Sequence, residues 1–223
     1  MNILLDLKNI RLSSCGGVLE MLQYVIITKE NWKVAADVQG QIFPETPFYE
    51  GFRRRFECDS SSGAPQLDSY IVYDDDVPIG LTGLYFVNDV NVNNSVWLSW
   101  FGILKSCRGK GLGKKILMDT IEFAKKAAKK YPIKYLRLYT SETMNFSAQP
   151  LYKKVMDMKE YYENEEMAKI CEELREYILE KKLHSEDVKI TIYSKVLSDD
   201  DVCTPWNNEF MNLREIVQLE LLS

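Results

Sequence analysis

Histidine is nearly absent. The 223 residues contain one, His184, which leaves a His-based triad or a His-rich metal site almost nothing to build with. Its setting, Leu183-His184-Ser185-Glu186-Asp187, reads as a polar surface loop. Cysteine is sparse and scattered: Cys15, Cys58, Cys107, Cys171 and Cys203 are odd in number and form no C-x-x-C pair. That argues against a disulfide framework and a thiolate zinc site, and it suits reduced thiols in a cytoplasm. No metal is expected. No stretch approaches the roughly 18 consecutive apolar residues of a membrane span. The start, MNILLDLKNI, is interrupted by Asp6 and Lys8 and has no small-residue cleavage site, so neither export nor a membrane is expected. Nor does one sign of charge dominate. With 28 Lys plus Arg against 33 Asp plus Glu, the net charge of -5 disfavours nucleic acid as a partner. What is present is apolar: 46% hydrophobic and 12% aromatic residues exclude the disordered and collagen-like classes and can fill the core of one ordinary domain.

The periodicity divides the chain. Residues 1–20 read as an extension, broken by Cys15-Gly16-Gly17 from a domain over 21–197, and 198–223 read as a tail. Tyr24 to Thr28 is a short β-branched run, and Asn31 is placed to cap a helix through Phe43, with a second helical stretch from Phe48 to Phe56. Ser69 to Tyr73 and Ile79 to Val87 flank Asp74-Asp75-Asp76 as a hairpin. Val96 to Leu104 is continuously apolar, as a strand covered on both faces requires. Gly111 to Lys130 reads as a helix ended by Pro132, and Tyr135 to Thr140 as a strand; strand, helix and strand so arranged form a crossover with parallel strands. A short helix over Asn145 to Lys154 and strands over Met158 to Tyr162 and Val188 to Val196 follow. Between them lies an acidic helical insertion, 163–187. Its apolar stripe must be covered by its own sheet, as a lid over a substrate, or across a homodimer interface.

The chemistry concentrates in Ile103-Leu104-Lys105-Ser106-Cys107-Arg108-Gly109-Lys110-Gly111-Leu112-Gly113-Lys114, a glycine-rich turn between a central strand and a long helix. Glycines admit φ > 0 and close approach of the backbone. The first helical turn leaves amides without partners, and the helix dipole adds positive charge, so the turn is suited to an anion. From Lys105 to Lys134 ten basic residues face two acidic ones. The spacing rejects two phosphate binders. Gly109 and Gly113 stand one residue too close for a Walker A loop, and Lys115 occupies the place of its Ser or Thr; G-x-G-x-G is not the G-x-G-x-x-G of a dinucleotide fold.

The pattern R-x-x-G-x-G is met by Arg108, Gly111 and Gly113. Together with Asn145-x-x-Ala148-x-x-Leu151-Tyr152-x-Lys154 downstream, it resembles the GNAT superfamily of acetyl-CoA-dependent N-acetyltransferases, over about Tyr24 to Tyr162. The resemblance implies an α/β fold: a mixed, mostly antiparallel twisted sheet whose central parallel pair is splayed for acetyl-CoA, with helices on both faces. It implies acetyl-CoA as co-substrate, held by Ile103, Leu104, Lys105, Arg108, Gly109, Lys110, Gly111, Leu112, Gly113 and Lys114, with Asn145 on the cofactor arm. It also implies Tyr152 as general acid to the departing thiolate. The acceptor is a small-molecule or peptide amine, with Trp100 beside the acetyl site.

A primary amine of pKa near 10.4 is neutral about once in 10^3.4 molecules at pH 7, a deficit of about 4.6 kcal/mol. Family members often carry a glutamate on the central strand to offset it; Val96 to Ile103 has none and offers Ser99. That leaves a water-relayed carboxylate, for which Glu142 is the candidate, or an acceptor of lower pKa. The missing glutamate is also what a catalytically silent acyl-CoA-binding module would show.

Overall fold

The structure, a computed structural model, describes residues 22–44, 48–57, 67–85, 94–141, 148–160 and 190–198. Among these, seven strands follow the order β1-β2-β3-β4-β5-β7-β6. They are β1 (Gln23–Ile26), β2 (Leu67–Asp74), β3 (Val77–Tyr85), β4 (Ser95–Ile103), β5 (Tyr135–Ser141), β6 (Lys159–Glu160) and β7 (Ile190–Val196), with helices α1 (Trp32–Ile42), α2 (Phe48–Glu57) and α3 (Leu112–Ala128). The sheet is mixed and mostly antiparallel, with β4 and β5 as its parallel pair. By compactness the chain falls into two units. One comprises the described residues up to Tyr85 with Leu98–Thr120, and the other comprises Asn94–Trp97 with the described residues from Ile121 onward.

In the first unit, β1 and β3 flank β2 in antiparallel register, Val25 opposite Ile71 and Ile71 opposite Leu81. Alternate residues serve opposite faces, as a period of two requires. Ile71 and Leu81 join Ile27 and the α1 residues Trp32, Ala35, Ala36, Val38 and Ile42 in one buried cluster, which Phe52 of α2 completes. Their neighbours Tyr70 and Thr82 turn the other way: Tyr70 meets the Tyr24 ring edge-on at 6.5 Å, and Thr82 shares a 2.8 Å hydrogen bond with Thr120 of α3. A sheet covered on both sides explains why β3 is buried from Ile79 to Tyr85 without interruption. The expected Asn31 cap takes another form. Its side chain accepts from the Thr28 amide at 2.7 Å and donates to Ile26 O at 2.8 Å, holding the β1-to-α1 turn instead of the helix amides.

In the second unit the parallel register joins Ser95, Val96 and Trp97 to Tyr135, Leu136 and Arg137. β7 then pairs antiparallel with β5 along seven residues, Tyr135–Ser141 against Val196–Ile190, and with β6 at Lys159 and Glu160. Arg137 is 2% exposed. Its guanidinium donates to Ser95 Oγ at 3.0 Å and Ser194 Oγ at 2.8 Å and lies 4.6 Å from the Tyr135 ring centre, so one buried cation ties three adjacent strands. No helix among the described residues is long and apolar enough to cross a membrane, and no cluster of three or more His, Cys, Asp or Glu among them is placed to hold a metal. The expected helical insertion over 163–187, the extension 1–20 and residues 199–223 lie outside the described residues.

Candidate active site

β4 ends where the Leu104 amide donates to Ile79 O at 2.8 Å. A tight turn, Lys105–Cys107, reverses the chain, and Arg108 returns its Nε to Ile103 O at 3.3 Å, closing the loop on the strand that feeds it. Gly109 and Gly111 both have φ +80, a region a side chain occupies only at a cost of roughly 1–2 kcal/mol. The first helical hydrogen bond of α3 runs from the Lys115 amide to Gly111 O at 3.1 Å. The amides of Leu112, Gly113 and Lys114 precede it and have no helical carbonyl to reach. The first turn carries no acid. Lys105, Arg108, Lys110 and Lys114 are exposed around it, while Lys115 is drawn aside to Asp119 at 3.0 Å. Asp119 also accepts the buried Tyr24 hydroxyl at 2.6 Å, which ties the middle of α3 to β1. Burial first, then that bond and the charge of Asp119, push the Tyr24 pKa well above its usual value of 10.0. Free amides, an uncompensated dipole end and four exposed cations fit a diphosphate, and the loop offers an anion no other charge.

Upstream on β4, Trp100 has φ 30, a left-handed conformation that costs a bulky residue about 1–3 kcal/mol unless its surroundings impose it. They do. Its ring meets Phe43 at 5.9 Å, edge to face, and Gly102 two residues on packs so closely under α1 that a Cβ there would lie 2.5 Å from Ile42 and 3.1 Å from Phe43. Ser99, just before the distortion, is 0% exposed, and its Oγ has no hydrogen-bond partner among the described residues. Trp100 and Phe101 are half-buried, whereas Trp97 is fully buried in the core.

In the second unit, Tyr152 sits on a π-helical turn, Leu151–Val155, closed by a bond from the Met156 amide to Leu151 O at 3.0 Å. Such wide turns recur at functional positions. Met156 O in turn accepts Lys195 Nζ from β7 at 2.9 Å. After the turn the chain runs Met156-Asp157-Met158 into β6, which begins at Lys159, and Asp157 is left-handed, φ 50. The Tyr152 ring is 3% exposed and packs against Tyr193 at 5.5 Å. Burial first, and the charge of Tyr193 second, raise its pKa above the usual 10.0. The hydroxyl therefore stays protonated at every working pH and is a weaker acid than an exposed tyrosine.

Of the residues expected from sequence, Trp100, Ile103, Leu104, Lys105 and Arg108 to Lys114 come together in the first unit. Tyr152 belongs to the second, and Glu142 and Asn145 lie outside the described residues. Sequence reasoning missed the Tyr24–Asp119–Lys115 connection, the left-handed Trp100 and the Tyr152–Tyr193 pair. Only the spacing of Lys115 and Asp119, four apart on one helix, was a signal that could have been read.

Residues 31–158, more than half of the chain, match the acetyltransferase (GNAT) family. The chain belongs to that family. Among curated proteins none matches the sequence. Solved structures do. This GNAT chain is similar to an acetyl transferase of Salmonella typhimurium that modifies the N-terminal serine of ribosomal protein L7/L12, with 9% identity, 82% of this chain and 98% of that one covered and a TM-score of 0.55. It is similar in the same way to a spermidine N-acetyltransferase chimera from Vibrio cholerae and hSSAT, with 14% identity, 79% and 95% covered and a TM-score of 0.55. A candidate acetyltransferase of Pyrococcus horikoshii matches at 16% identity over 68% of this chain and 48% of its own, TM-score 0.48, so the GNAT chain spans about half of that relative's length. At these identities the likeness is one of fold. The family is one of acetyltransferases that use acetyl-CoA.

Proposed function

We propose that this protein is an N-acetyltransferase that carries an acetyl group from acetyl-CoA to an amine, within a domain spanning 21–197. The observation that supports it most is the cradle at the start of α3: two glycines at φ +80 leading into amides without helical acceptors, among four exposed cations and no acid. Ile103 to Lys105 and Arg108 to Lys114 would hold the diphosphate and the adjoining arm, with Asn145 further along that arm. Bound there, acetyl-CoA supplies a carbonyl open to an amine and a sulfur leaving group. The backbone of β4 from Leu98 to Ile103 polarises that carbonyl, and Trp100 bounds the acceptor side. Tyr152 gives its proton to the sulfur as the C–S bond breaks and regains one from water. Because burial weakens Tyr152 as an acid, its proton moves only as charge builds on the sulfur, whose own thiol pKa lies near 8.5.

The absence of a carboxylate from Val96 to Ile103 supports a second reading, a silent acyl-CoA-binding module. Melting the protein with acetyl-CoA, ATP or NAD tests binding, and acetyl-CoA alone is expected to stabilise it. No shift at millimolar acetyl-CoA would sink both readings. Thiol release in the presence of amines separates them, since the silent module binds without releasing thiol.

A further inference from the structure

We infer that Lys115 is a further cation for the diphosphate of acetyl-CoA, exchanged between Asp119 and the phosphate, with Asp119 and Tyr24 as the positioning residues that hold and release it. This rests on the acetyl-CoA reading above and deepens it. The four exposed cations of the cradle stand ready for an anion, whereas Lys115 must leave a partner to reach one.

The position of Lys115 points it at the cradle. Its amide makes the first helical hydrogen bond of α3, to Gly111 O at 3.1 Å, so its Cα stands one residue past the amides that precede that bond. Side chains on a helix lean toward the N-terminal end, which for Lys115 is the cradle. The space beside Gly111, one turn before it, is open: a Cβ there would meet no heavy atom within 4 Å among the described residues. The Lys115 ammonium nevertheless turns the other way, to Asp119 Oδ2 at 3.0 Å one turn further on. A cation so near the start of a helix opposes the dipole, and lysine four residues before an acid is the weaker of the two orders for such a pair. Local helix preference therefore gives no reason for a lysine here, and an anion in the cradle does.

Asp119 can give the lysine up because it keeps a second donor. The same oxygen, Oδ2, accepts the Tyr24 hydroxyl from β1 at 2.6 Å. The Asp119 side chain is 13% exposed against 34% for Lys115, so the cation is the partner that solvent reaches and the carboxylate is the one that needs an internal donor. With Tyr24 in place, departure of the lysine leaves the carboxylate hydrogen-bonded and avoids the penalty of an unmade bond. Burial, the hydrogen bond and the charge of Asp119 keep the Tyr24 proton on at every working pH, so that donor is always present. The magnitudes favour the exchange. An i,i+4 ion pair on a helix is worth a factor of about two in an equilibrium constant, whereas a hydrogen bond between charged groups is worth about tenfold or more. Transfer of Lys115 to the phosphate therefore adds about fivefold to the affinity.

The test is titration calorimetry of the full chain with acetyl-CoA at neutral pH, with the Tm of each variant measured alongside. Lys115→Gln should weaken binding about fivefold. Asp119→Asn should strengthen it about twofold, because the lysine then has no carboxylate to leave while the amide oxygen still accepts from Tyr24. Added to Lys115→Gln, Asp119→Asn should change the affinity no further. Tyr24→Phe should weaken binding, since Asp119 then holds the lysine more tightly, and Asp119→Asn should reverse that loss. The loss in Lys115→Gln should be equal with the acetyl thioester of 3′-dephospho-CoA, which keeps the diphosphate; a loss confined to acetyl-CoA would move Lys115 to the ribose phosphate and overturn the assignment. The opposite signs of the two single variants are the decisive readout. A pair that only braces the helix would lower Tm in both and leave the affinity unchanged, or lowered, in both. That result, or unaltered affinity in Lys115→Gln, would overturn the inference while leaving acetyl-CoA binding intact, whereas no binding by the parent would remove the acetyl-CoA reading itself.

Discussion

Replacing Gly111 by alanine isolates the backbone of the proposed diphosphate cradle from everything around it. A Cβ at Gly111 would have no heavy atom within 4 Å, so the methyl group clashes with nothing, and its whole cost is the φ of +80, about 1–2 kcal/mol. The residue is exposed, so the free loop can relax to negative φ with little effect on stability. Binding must then restore the left-handed turn. Acetyl-CoA affinity is expected to fall by about 5- to 30-fold, the same 1–2 kcal/mol written as a ratio. Ligand at about 100 times Kd stabilises the parent by about 2.7 kcal/mol; in the variant this falls to between about 0.9 and 1.8 kcal/mol. For a chain of this size each 1 kcal/mol is about 2–4 °C of Tm, so melts with and without acetyl-CoA read the change and titration calorimetry gives the affinity directly. Gly113→Ala is the control. It adds the same methyl two residues on, in helical backbone, with Ile103 Cγ2 the nearest atom at an ordinary 3.9 Å. That variant carries no left-handed φ to restore, so it should lose less affinity than Gly111→Ala and gain slightly in stability. Unchanged affinity in Gly111→Ala, or equal loss in both variants, would refute the claim that a left-handed glycine shapes the anion site.

Tyr152→Phe should lower kcat by about 10²-fold or more while leaving acetyl-CoA affinity nearly unchanged, and steady-state kinetics with undiminished kcat would remove Tyr152 as the acid. Gln39→Met should raise stability by about 1–3 kcal/mol, read as a higher denaturation midpoint, because it removes a buried amide with no partner among the described residues; a loss of stability would show that the amide is satisfied. Tyr24 and Tyr152 both have folded pKa values raised above 10, so their contribution to stability is complete below pH 10 and is lost as the pH rises above it. Urea midpoints measured from pH 8 to 11 should decline above pH 10 by up to about 1.4 kcal/mol per pH unit for each tyrosine. Tyr24→Phe should flatten that limb and, by freeing Asp119, cost about 1.5–3 kcal/mol at neutral pH. An unaltered limb would mean that Tyr24 does not ionise with unfolding.

The sequence by itself determined the elements and the loop, because both depend on residues close together along the chain. The runs behind β1 to β5, the helices α1 and α3, and the parallel direction of β4 and β5 were all legible as local patterns and connection lengths. So was the glycine-rich loop before α3, since Arg108, Gly109, Gly111 and Gly113 lie within six residues and the α3 amides follow from helix geometry. What the tertiary structure decided lies between distant residues. Nothing local in Val96 to Ile103 marks Trp100 as left-handed; Phe43 and the close approach of α1 to Gly102, some sixty residues away in sequence, impose it. The same holds for Tyr24 fixing Asp119, Tyr193 packing against Tyr152, β7 entering between β5 and β6, and Arg137 reaching Ser95 and Ser194. Burial belongs to this class too. Gln39 looks like any polar helix residue in sequence, and only packing makes it a buried amide with no partner among the described residues, because desolvation is a property of the assembled core and not of the residue.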